Sequence, residues 1–166
     1  MIYEPALLDQ LEELGGQEWE GIVYRHMFAS YRPSRMNTLG ARWNPREVAA
    51  LYASLERKTV LAEADYRISL EPFRPKARRT LYRIRVRLSR VVDLRDPGDL
   101  ALVGITDAEL VADDFTSCQK VGGAAQLLGN DGLLVPSARA DGANLVIYPN
   151  DDHEFDVIDS EEISET

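Results

Sequence analysis

The stretch that decides the fold is Leu81-Tyr-Arg-Ile-Arg-Val-Arg-Leu88, in which apolar and basic residues alternate without interruption. Successive side chains of a β-strand point to opposite faces of a sheet. This period therefore predicts a strand with one buried face and one wet, basic face. Residues 91–94 follow closely and are expected to continue the strand past a bulge or bend.

Other elements are predicted on both sides of this strand. Leu7, Leu8, Leu11 and Leu14 form an apolar stripe at helical spacing, and Gly15-Gly16 ends it. Further strands are predicted over residues 21–27, 133–135, 144–148 and 154–158. Further helices are predicted over residues 56–68 and 119–128, with a short one opened by the capping box Thr106-Asp-Ala-Glu109.

The segment before the second helix has mixed signals. Asn44-Pro45-Arg46-Glu47 has the composition of a helix start, but residues 48–53 also suit a buried strand. We therefore expect only a short turn there. Ser54 is the predicted cap of the helix over residues 56–68.

The length and composition favour one domain. A chain of 166 residues that is 45% apolar can bury a real core but has little room for a second domain. Because few connections are long enough for regular crossovers, we expect a mixed α+β fold with mainly antiparallel pairing. The expected parts are an N-terminal helical segment (1–20), a main domain (21–158) and a frayed acidic tail (159–166).

The net charge of −9 is unevenly distributed. Residues 1–90 carry 16 Lys/Arg and 11 Asp/Glu, a net charge of +5, whereas residues 91–166 have a net charge of −14. The first part is therefore expected to hold any anionic ligand. The overall acidity argues against general nucleic-acid binding.

Several sequence features indicate a cytoplasmic protein without a metal centre. The lone cysteine, Cys118, fits a reducing compartment, and no apolar run is long enough for a membrane span. The first five residues do not resemble a secretory signal. His26 and His153 are far apart in sequence and give no ligand spacing for zinc or a redox metal.

Cationic and aromatic residues cluster in the first third of the chain. Arg25 and Arg42 carry planar guanidinium groups that match phosphate oxygens two at a time, although most arginines make surface salt bridges. Tyr31 and Tyr52 are candidates to stack on a base or nicotinamide ring, and Tyr52 would also suit the core. Trp43 is expected to be a packing anchor more often than a ligand platform.

Glu63 is the sharpest candidate for chemistry. It lies among apolar residues of a predicted helix, so it either faces water or has a dedicated partner. In a pocket it would suit hydrogen bonding to a ribose hydroxyl and stabilisation of an oxocarbenium-like sugar. Ser137 follows a strand and a proline, where hydroxyls often make turns; without a nearby histidine it would bind a ribose or carboxamide rather than act as a nucleophile. With the amide of Asn44, the cluster contains the groups needed to hold a dinucleotide.

Several short motifs lie between Tyr24 and Asn150, and their order and spacing match those of a known family. They are Tyr24-Arg25, Gly40-Ala-Arg-Trp-Asn44, Leu51-Tyr-Ala-Ser54, Ala62-Glu63, Asp113-Asp-Phe-Thr-Ser-Cys-Gln119 with Gly122, Leu134-Val-Pro-Ser-Ala138, and Asn144. In this combination they resemble the RES-domain family. The motif Gly-Gly-Arg-Trp-Asn is common in this family, and here its second glycine is replaced by Ala41. The replacement matters only if the backbone at that position needs a positive φ.

The resemblance implies a toxin of a bacterial type II toxin–antitoxin pair that destroys NAD+. It implies an ADP-ribosyltransferase-like fold with a split sheet, and an Xre-type helix-turn-helix antitoxin covering the active-site cleft. NAD+ would be the substrate and no cofactor would be needed. Water, inorganic phosphate or a protein side chain would be the acceptor.

The resemblance also implies roles for individual residues. The catalytic set would be Arg25 for the phosphates or ribose, Tyr52 for stacking, Glu63 as the key carboxylate, and Ser137 in the Pro-Ser motif. Thr116 stands where some members have a serine, so either hydroxyl is a candidate. The expected substrate-binding residues are Tyr31, Arg42, Asn44 and Thr116.

Two other functions remain open from the sequence. An ADP-ribosyltransferase that modifies a protein would need the same residues. A catalytically silent interaction module would need none of them, and the presence of Arg25, Tyr52 and Glu63 together counts against it.

Overall fold

The computed structural model describes residues 2–28, 30–73 and 76–163, which form five α-helices and six β-strands. The helices are α1 (Pro5–Leu14), α2 (Arg57–Ser69), α3 (Pro97–Leu102), α4 (Asp107–Val111) and α5 (Thr116–Leu127). The strands are β1 (Gln17–Phe28), β2 (Leu51–Ser54), β3 (Arg79–Asp93), β4 (Gly132–Pro136), β5 (Ala143–Ile147) and β6 (Glu154–Ile163). None of these helices has the length and apolar character needed to cross a membrane.

Strand β3 lies at the centre of the sheet. The predicted strand over residues 81–88 and its continuation form one strand of 15 residues. One edge of β3 pairs antiparallel with β1. The other edge is shared, because β6 pairs antiparallel with residues 79–87 while β4 pairs in parallel with residues 91–93.

The sheet closes on itself through β1, β2, β5, β4 and β3, and β6 lies outside this ring. Strands β2 and β4 both pair antiparallel with β5, and β1 meets β2 at Tyr24 and Ser54. The predicted α+β class with a mixed, mostly antiparallel sheet and flanking helices is confirmed. The closure gives the sheet a barrel-like form.

Apolar side chains pack on both faces of the ring. One cluster, formed by strand residues, fills its interior: Val23, Leu51, Ala53, Ile84, Val86, Leu88, Val91, Leu134, Leu145 and Ile147. The second lies between the sheet and the helices and includes Leu11, Leu100, Leu110, Val121, Val92, Leu133, Val135 and Val146. The alternation of side chains in β4 sends Leu134 to the first cluster and its two neighbours to the second.

Close packing against α5 fixes the loop that precedes β2. Trp43, in this loop, is 2% exposed, and its carbonyl oxygen accepts the hydroxyl of Tyr148 at 2.7 Å. Gly122 faces the same carbonyl, and a Cβ at this position would overlap both Trp43 and Tyr148. The interpretation of Trp43 as a packing anchor is therefore confirmed.

A buried arginine ties α2 to two strands. Arg79 of β3 donates from Nε to His26 Nε2 of β1 at 2.9 Å and from Nη2 to Asp65 Oδ1 of α2 at 2.9 Å. Burial, followed by the charges of Arg79 and Arg67, lowers the pKa of His26 to about 4. His26 is therefore neutral near pH 7 and accepts a hydrogen bond from a permanent cation.

The acidic segment after residue 158 does not form the frayed tail that the sequence predicted. Residues 159–163 continue β6 and pair with β3. Arg83 donates to Asp159 from Nε at 3.0 Å and from Nη2 at 2.5 Å, and Arg57 donates to Glu161 at 2.8 Å. The basic face of β3 and the first residue of α2 thus attract these carboxylates, while residues 164–166 lie outside the described part.

Other element boundaries also differ from the predictions. The prediction of Ser54 as a helix cap is wrong, because Ser54 ends β2 and Glu56 occupies the N-cap position of α2. Strand β1 begins at Gln17 rather than at residue 21, since the length of β3 provides pairing partners for the earlier residues. The short turn expected at residues 44–47 is present, but the strand that follows it covers Leu51–Ser54 rather than residues 48–53.

The contact between α5 and the loop predicts a cost for adding one methyl group. Gly122→Ala should lower the free energy of unfolding by about 1–3 kcal/mol, because the backbone of Trp43 must move. Chemical denaturation would measure this change. Gln126→Ala, at an exposed position of α5, is the control and should stay within about 0.5 kcal/mol of the parent. An unchanged Gly122→Ala variant would contradict the close approach.

The Arg79–His26 contact predicts a dependence of stability on pH. Below its ordinary pKa of 6.5, His26 takes up a proton in the unfolded chain but stays neutral in the folded protein down to about pH 4. The free energy of unfolding should therefore fall as the pH decreases from 6.5 to about 4. In His26→Gln, whose amide oxygen accepts from Arg79 without titrating, denaturation curves over this range should show a weaker fall. Equal slopes for both proteins would refute this origin.

Candidate active site

Glu63 lies at the border of the buried face of α2. It follows Val60 by three residues and precedes Ala64, and both of these neighbours are buried. Its Oε1 accepts the hydroxyl of Ser137 at 2.6 Å and the amide of Asn144 at 2.9 Å. Of the two readings left open by the sequence, the structure therefore has the partnered carboxylate rather than the freely solvated one.

A second hydrogen bond orients the amide of Asn144. Ser54 of β2 is opposite Asn144 of β5 in the sheet, and its hydroxyl donates to Asn144 Oδ1 at 2.7 Å. With its oxygen occupied by Ser54, the amide presents its NH₂ group to Glu63. The strand register of β2 and β5 thus determines where a donor meets the carboxylate.

The turn after β4 holds the hydroxyl of Ser137. Its Oγ accepts the backbone N–H groups of Arg139 at 3.1 Å and Ala140 at 3.2 Å, and it donates its own hydrogen to Glu63. Both side-chain bonds to Glu63 use Oε1, and none of the hydrogen bonds of the described residues uses Oε2. One carboxylate oxygen is therefore held by the protein and the other can accept from a ligand.

Tyr52 connects β2 to the loop that contains Arg42, Trp43 and Asn44. Its hydroxyl donates to Asn44 Oδ1 at 2.5 Å and accepts the backbone N–H of Trp43 at 2.9 Å. Burial raises the pKa of Tyr52 well above its ordinary value, so the hydroxyl keeps its proton. The ring is half-buried against the core beside the helices.

Asn44 is placed in the interior. It is 0% exposed and donates to the carbonyl of Val48 at 2.8 Å besides accepting from Tyr52. A side chain without exposed surface has no direct access to a ligand in this structure. Asn44 therefore supports the site by holding Tyr52 and the loop together.

Arg25 also holds a loop. Its guanidinium donates to three backbone carbonyls, those of Pro33 at 2.6 Å, Tyr52 at 2.7 Å and Arg35 at 2.5 Å. Burial, with a smaller effect from the charge of Arg67, lowers its pKa to about 10, so it remains a cation near neutral pH. Three of its five N–H groups are thus engaged by the protein.

Of the predicted site residues, Ser137 is the one that hydrogen-bonds Glu63 within the described part of the chain, and Arg42, Tyr31 and Thr116 have other partners. Arg42 donates to the carbonyl of Ala112 at 2.8 Å and lies over the ring of Phe115, with 4.5 Å from Cζ to the ring centre. Tyr31 is exposed, with the guanidinium of Arg35 at 3.9 Å from its ring centre. Thr116 donates its N–H and its hydroxyl to Asp114 at the start of α5. Ligand contacts by Tyr31, Arg42 and Thr116 stay predictions.

A cluster formed by Tyr66, Asp113 and Arg139 was not predicted from the sequence as part of the site. The Cζ of Arg139 lies 3.4 Å from the ring centre of Tyr66, which is three residues after Glu63 on α2. Asp113 Oδ1 accepts the Tyr66 hydroxyl at 3.4 Å and lies 3.9 Å from Arg139 Nη2. Glu63 and Tyr66 are three residues apart on a predicted helix, and this spacing alone indicates that they lie on the same helix face.

Arg67 is a further cation near the site. It follows Glu63 by one helical turn. Burial is the main cause of the raised pKa of Tyr52 and of the lowered pKa of Arg25, and the charge of Arg67 has a smaller downward effect on both. Arg67 thus lies towards β1 and β2, whereas Arg139 lies towards the turn between β4 and β5. The two cations thus lie near different neighbours of Glu63, Arg67 near Tyr52 and Arg139 near Ser137.

This arrangement suits a substrate with anionic groups and a carbon that becomes positive during reaction. A fixed carboxylate stabilises positive charge best where the surroundings are preorganised and need not reorient. The cations provide attraction for phosphates. No group of three or more His, Cys, Asp or Glu side chains in the described residues is placed to hold a metal ion.

Comparison with known proteins shows related sequences and a related fold. The chain is 28% identical over 158 residues to proteins named NAD(+) phosphorylase MbcT from Mycobacterium bovis and Mycobacterium tuberculosis, covering 87% of this chain and 82% of the relatives. The crystal structure of the M. tuberculosis MbcT–MbcA toxin–antitoxin complex has the same fold, with a TM-score of 0.84, 24% identity, and coverage of 97% of this chain and 93% of that chain.

A family model described as the RES domain matches residues 19–164. The match includes every residue of the Glu63, Ser137 and Asn144 cluster and nearly all of the sheet. It also includes residues 159–163, in agreement with their position in β6. The protein therefore belongs to the RES-domain family.

Proposed function

We propose that this protein cleaves NAD+ at the bond between nicotinamide and ribose and thereby acts as the toxin of a toxin–antitoxin pair. The observation that carries this proposal is the carboxylate of Glu63, which Ser137 and Asn144 hold by Oε1. The relationship to proteins named NAD(+) phosphorylase supports it.

Cleavage of NAD+ needs few catalytic groups, and the residues around Glu63 could provide them. Nicotinamide leaves as a neutral molecule from a cationic ring, so the enzyme must mainly orient the dinucleotide and stabilise the positive sugar carbon. Glu63 Oε2 would accept a ribose hydroxyl while the negative charge lies close to that carbon. Ser137 would position the carboxylate and contact the ribose, and no nucleophilic serine is required.

The other residues would bind and orient the substrate. Arg42 and Arg67 would attract the diphosphate, and the ring of Tyr52 would border the nicotinamide ribose. Arg25 would act mainly through its hold on Tyr52 and the loop, because its guanidinium already donates to three carbonyls. Tyr31 and Thr116 would contact the outer parts of the dinucleotide.

Replacement of Glu63 tests the reaction directly. Nicotinamide release from NAD+ should fall by about 100-fold or more in Glu63→Gln, because the neutral amide no longer stabilises the sugar cation. Ser137→Ala should lower kcat less, since Asn144 still holds the carboxylate. Glu71→Gln, which removes an exposed carboxylate just beyond α2, is the matched control and should retain full activity. Release that persists in Glu63→Gln would exclude this site as the catalytic one.

The acceptor is tested in the same assay. We propose inorganic phosphate, on the strength of the relatives' name, with water as the alternative. Phosphorolysis would make nicotinamide release depend on phosphate and would yield a phosphorylated ADP-ribose. Transfer of labelled ADP-ribose to a protein would instead indicate an ADP-ribosyltransferase.

The biological role is a second part of the proposal. The related solved structure is a toxin–antitoxin complex, so we propose an antitoxin partner of the Xre type that covers the cleft, with both proteins in the cytoplasm where NAD+ is consumed. A segment inserted there should offer carboxylates to the arginines at the site.

Expression in bacteria would test this role. Induction of the protein should stop growth and lower cellular NAD+, whereas Glu63→Gln should do neither and co-expression of the antitoxin should restore both. Growth arrest at unchanged NAD+ would favour a protein target. The absence of any effect from folded, active protein would remove the toxin role.

A further inference from the structure

Arg139 is an isolated cation in the acidic part of the chain. It is the one Lys or Arg among residues 121–166, a segment that contains the turn next to the candidate active site. Its backbone N–H donates to the same hydroxyl, Ser137 Oγ, that donates to Glu63. The position of Arg139 is thus fixed relative to the carboxylate by the backbone.

Two contacts orient the guanidinium of Arg139. The group lies over the ring of Tyr66, with Cζ 3.4 Å from the ring centre. A guanidinium that stacks by its face leaves the N–H groups at its edge available for hydrogen bonding in the plane. The carboxylate of Asp113 is 3.9 Å from Nη2 and its side chain is 86% exposed, so it neutralises the charge only weakly.

The side chain of Arg139 is nevertheless largely covered. It is 17% exposed, less than Arg83 at 41% and Arg87 at 50%, although more than the buried Arg79 at 8%. Its guanidinium makes no hydrogen bond to a residue within the described ranges, and its ion-pair contact with Asp113 is 3.9 Å long. An arginine held by stacking in this way is arranged to receive a planar pair of oxygen acceptors.

The cations around the site lie near two different residues and could serve two different anions. Arg67 and Arg42 lie on the side of Tyr52, while Arg139 lies on the side of Ser137, at the turn between β4 and β5. The proposed reaction also needs two anions, the diphosphate of NAD+ and an acceptor phosphate that must approach the sugar carbon itself. Arg139 is joined through its backbone N–H to Ser137, which donates to the carboxylate that would face the sugar carbon.

We propose that Arg139, stacked on Tyr66, binds the inorganic phosphate that attacks NAD+. This inference rests on the proposed function. An oxygen of hydrogen phosphate forms a bond with C1 of the ribose as the bond from that carbon to the nicotinamide nitrogen breaks. The electron pair leaves with neutral nicotinamide, and the phosphate keeps or releases its proton according to pH.

Kinetics with both substrates varied would test the assignment. Arg139→Gln should raise the KM for phosphate by about 10-fold or more and leave the KM for NAD+ within about 2-fold of the parent. Arg67→Gln should show the opposite pattern. Arg139→Lys keeps the charge but loses the planar fork, so its KM for phosphate should be intermediate. Lys120→Gln, at an exposed position of α5, is the control for loss of one positive charge.

Binding of inorganic phosphate gives a readout that does not need turnover. Calorimetric titration should show binding to the parent and to Glu63→Gln and loss of binding in Arg139→Gln, with thermal unfolding used to confirm that each variant is folded. A raised KM for NAD+ rather than for phosphate, or phosphate binding that survives in Arg139→Gln, would overturn the proposal.

The outcomes also separate this inference from the proposed function. Nicotinamide release that does not depend on phosphate would overturn the acceptor site and leave NAD+ cleavage intact. Phosphate binding that requires Arg139 in a protein that does not cleave NAD+ would support the anion site and overturn the proposed function.

Discussion

The length of β3 is the constraint on which the rest of the structure depends. A strand has two edges, and β3 uses one for β1 while dividing the other between β6 and β4. The parallel contact with β4 closes the ring, and the closed ring places β2 and β5 side by side. The pairing of β2 with β5 places Ser54 opposite Asn144, and the amide of Asn144 donates to Glu63. A shorter β3 would lose its parallel pairing with β4, which closes the ring beside the strands that hold Ser54 and Asn144.

The candidate site shows how a partly buried charge is stabilised without being neutralised. Glu63 has hydrogen bonds from two neutral donors on one oxygen, and none of the salt bridges of the described residues involves it. Neutral donors stabilise a carboxylate while leaving its charge available, whereas a direct arginine contact would cancel much of it. The cations instead meet backbone carbonyls, as Arg25 does, or an aromatic ring, as Arg139 does. The arginine charges that would bind an anionic substrate are thus kept separate from the Glu63 charge that would stabilise a cationic sugar.

Local signals predicted the local parts of this structure. Alternation predicted β3 and helical spacing predicted α1 and α2, because each pattern is contained within its own element. The environment of Glu63 remained open because its donors are 74 and 81 residues away in sequence. Serine is a residue type favoured at helix N-caps, yet Ser54 lies in a strand because β2 pairs with β5. The acidic segment and the basic face of β3 were each recognised, but neither pattern alone shows that they pair.

The position of β6 has a consequence for how the protein is made. Synthesis proceeds from the N-terminus, so β3 leaves the ribosome before β6 exists, and the edge of residues 79–87 has no partner during that interval. Arginines on this edge repel the approach of another such chain, which limits aggregation of the incomplete product. Because β6 lies outside the ring, closure of the barrel and assembly of the Glu63 cluster do not require β6 to have paired with β3.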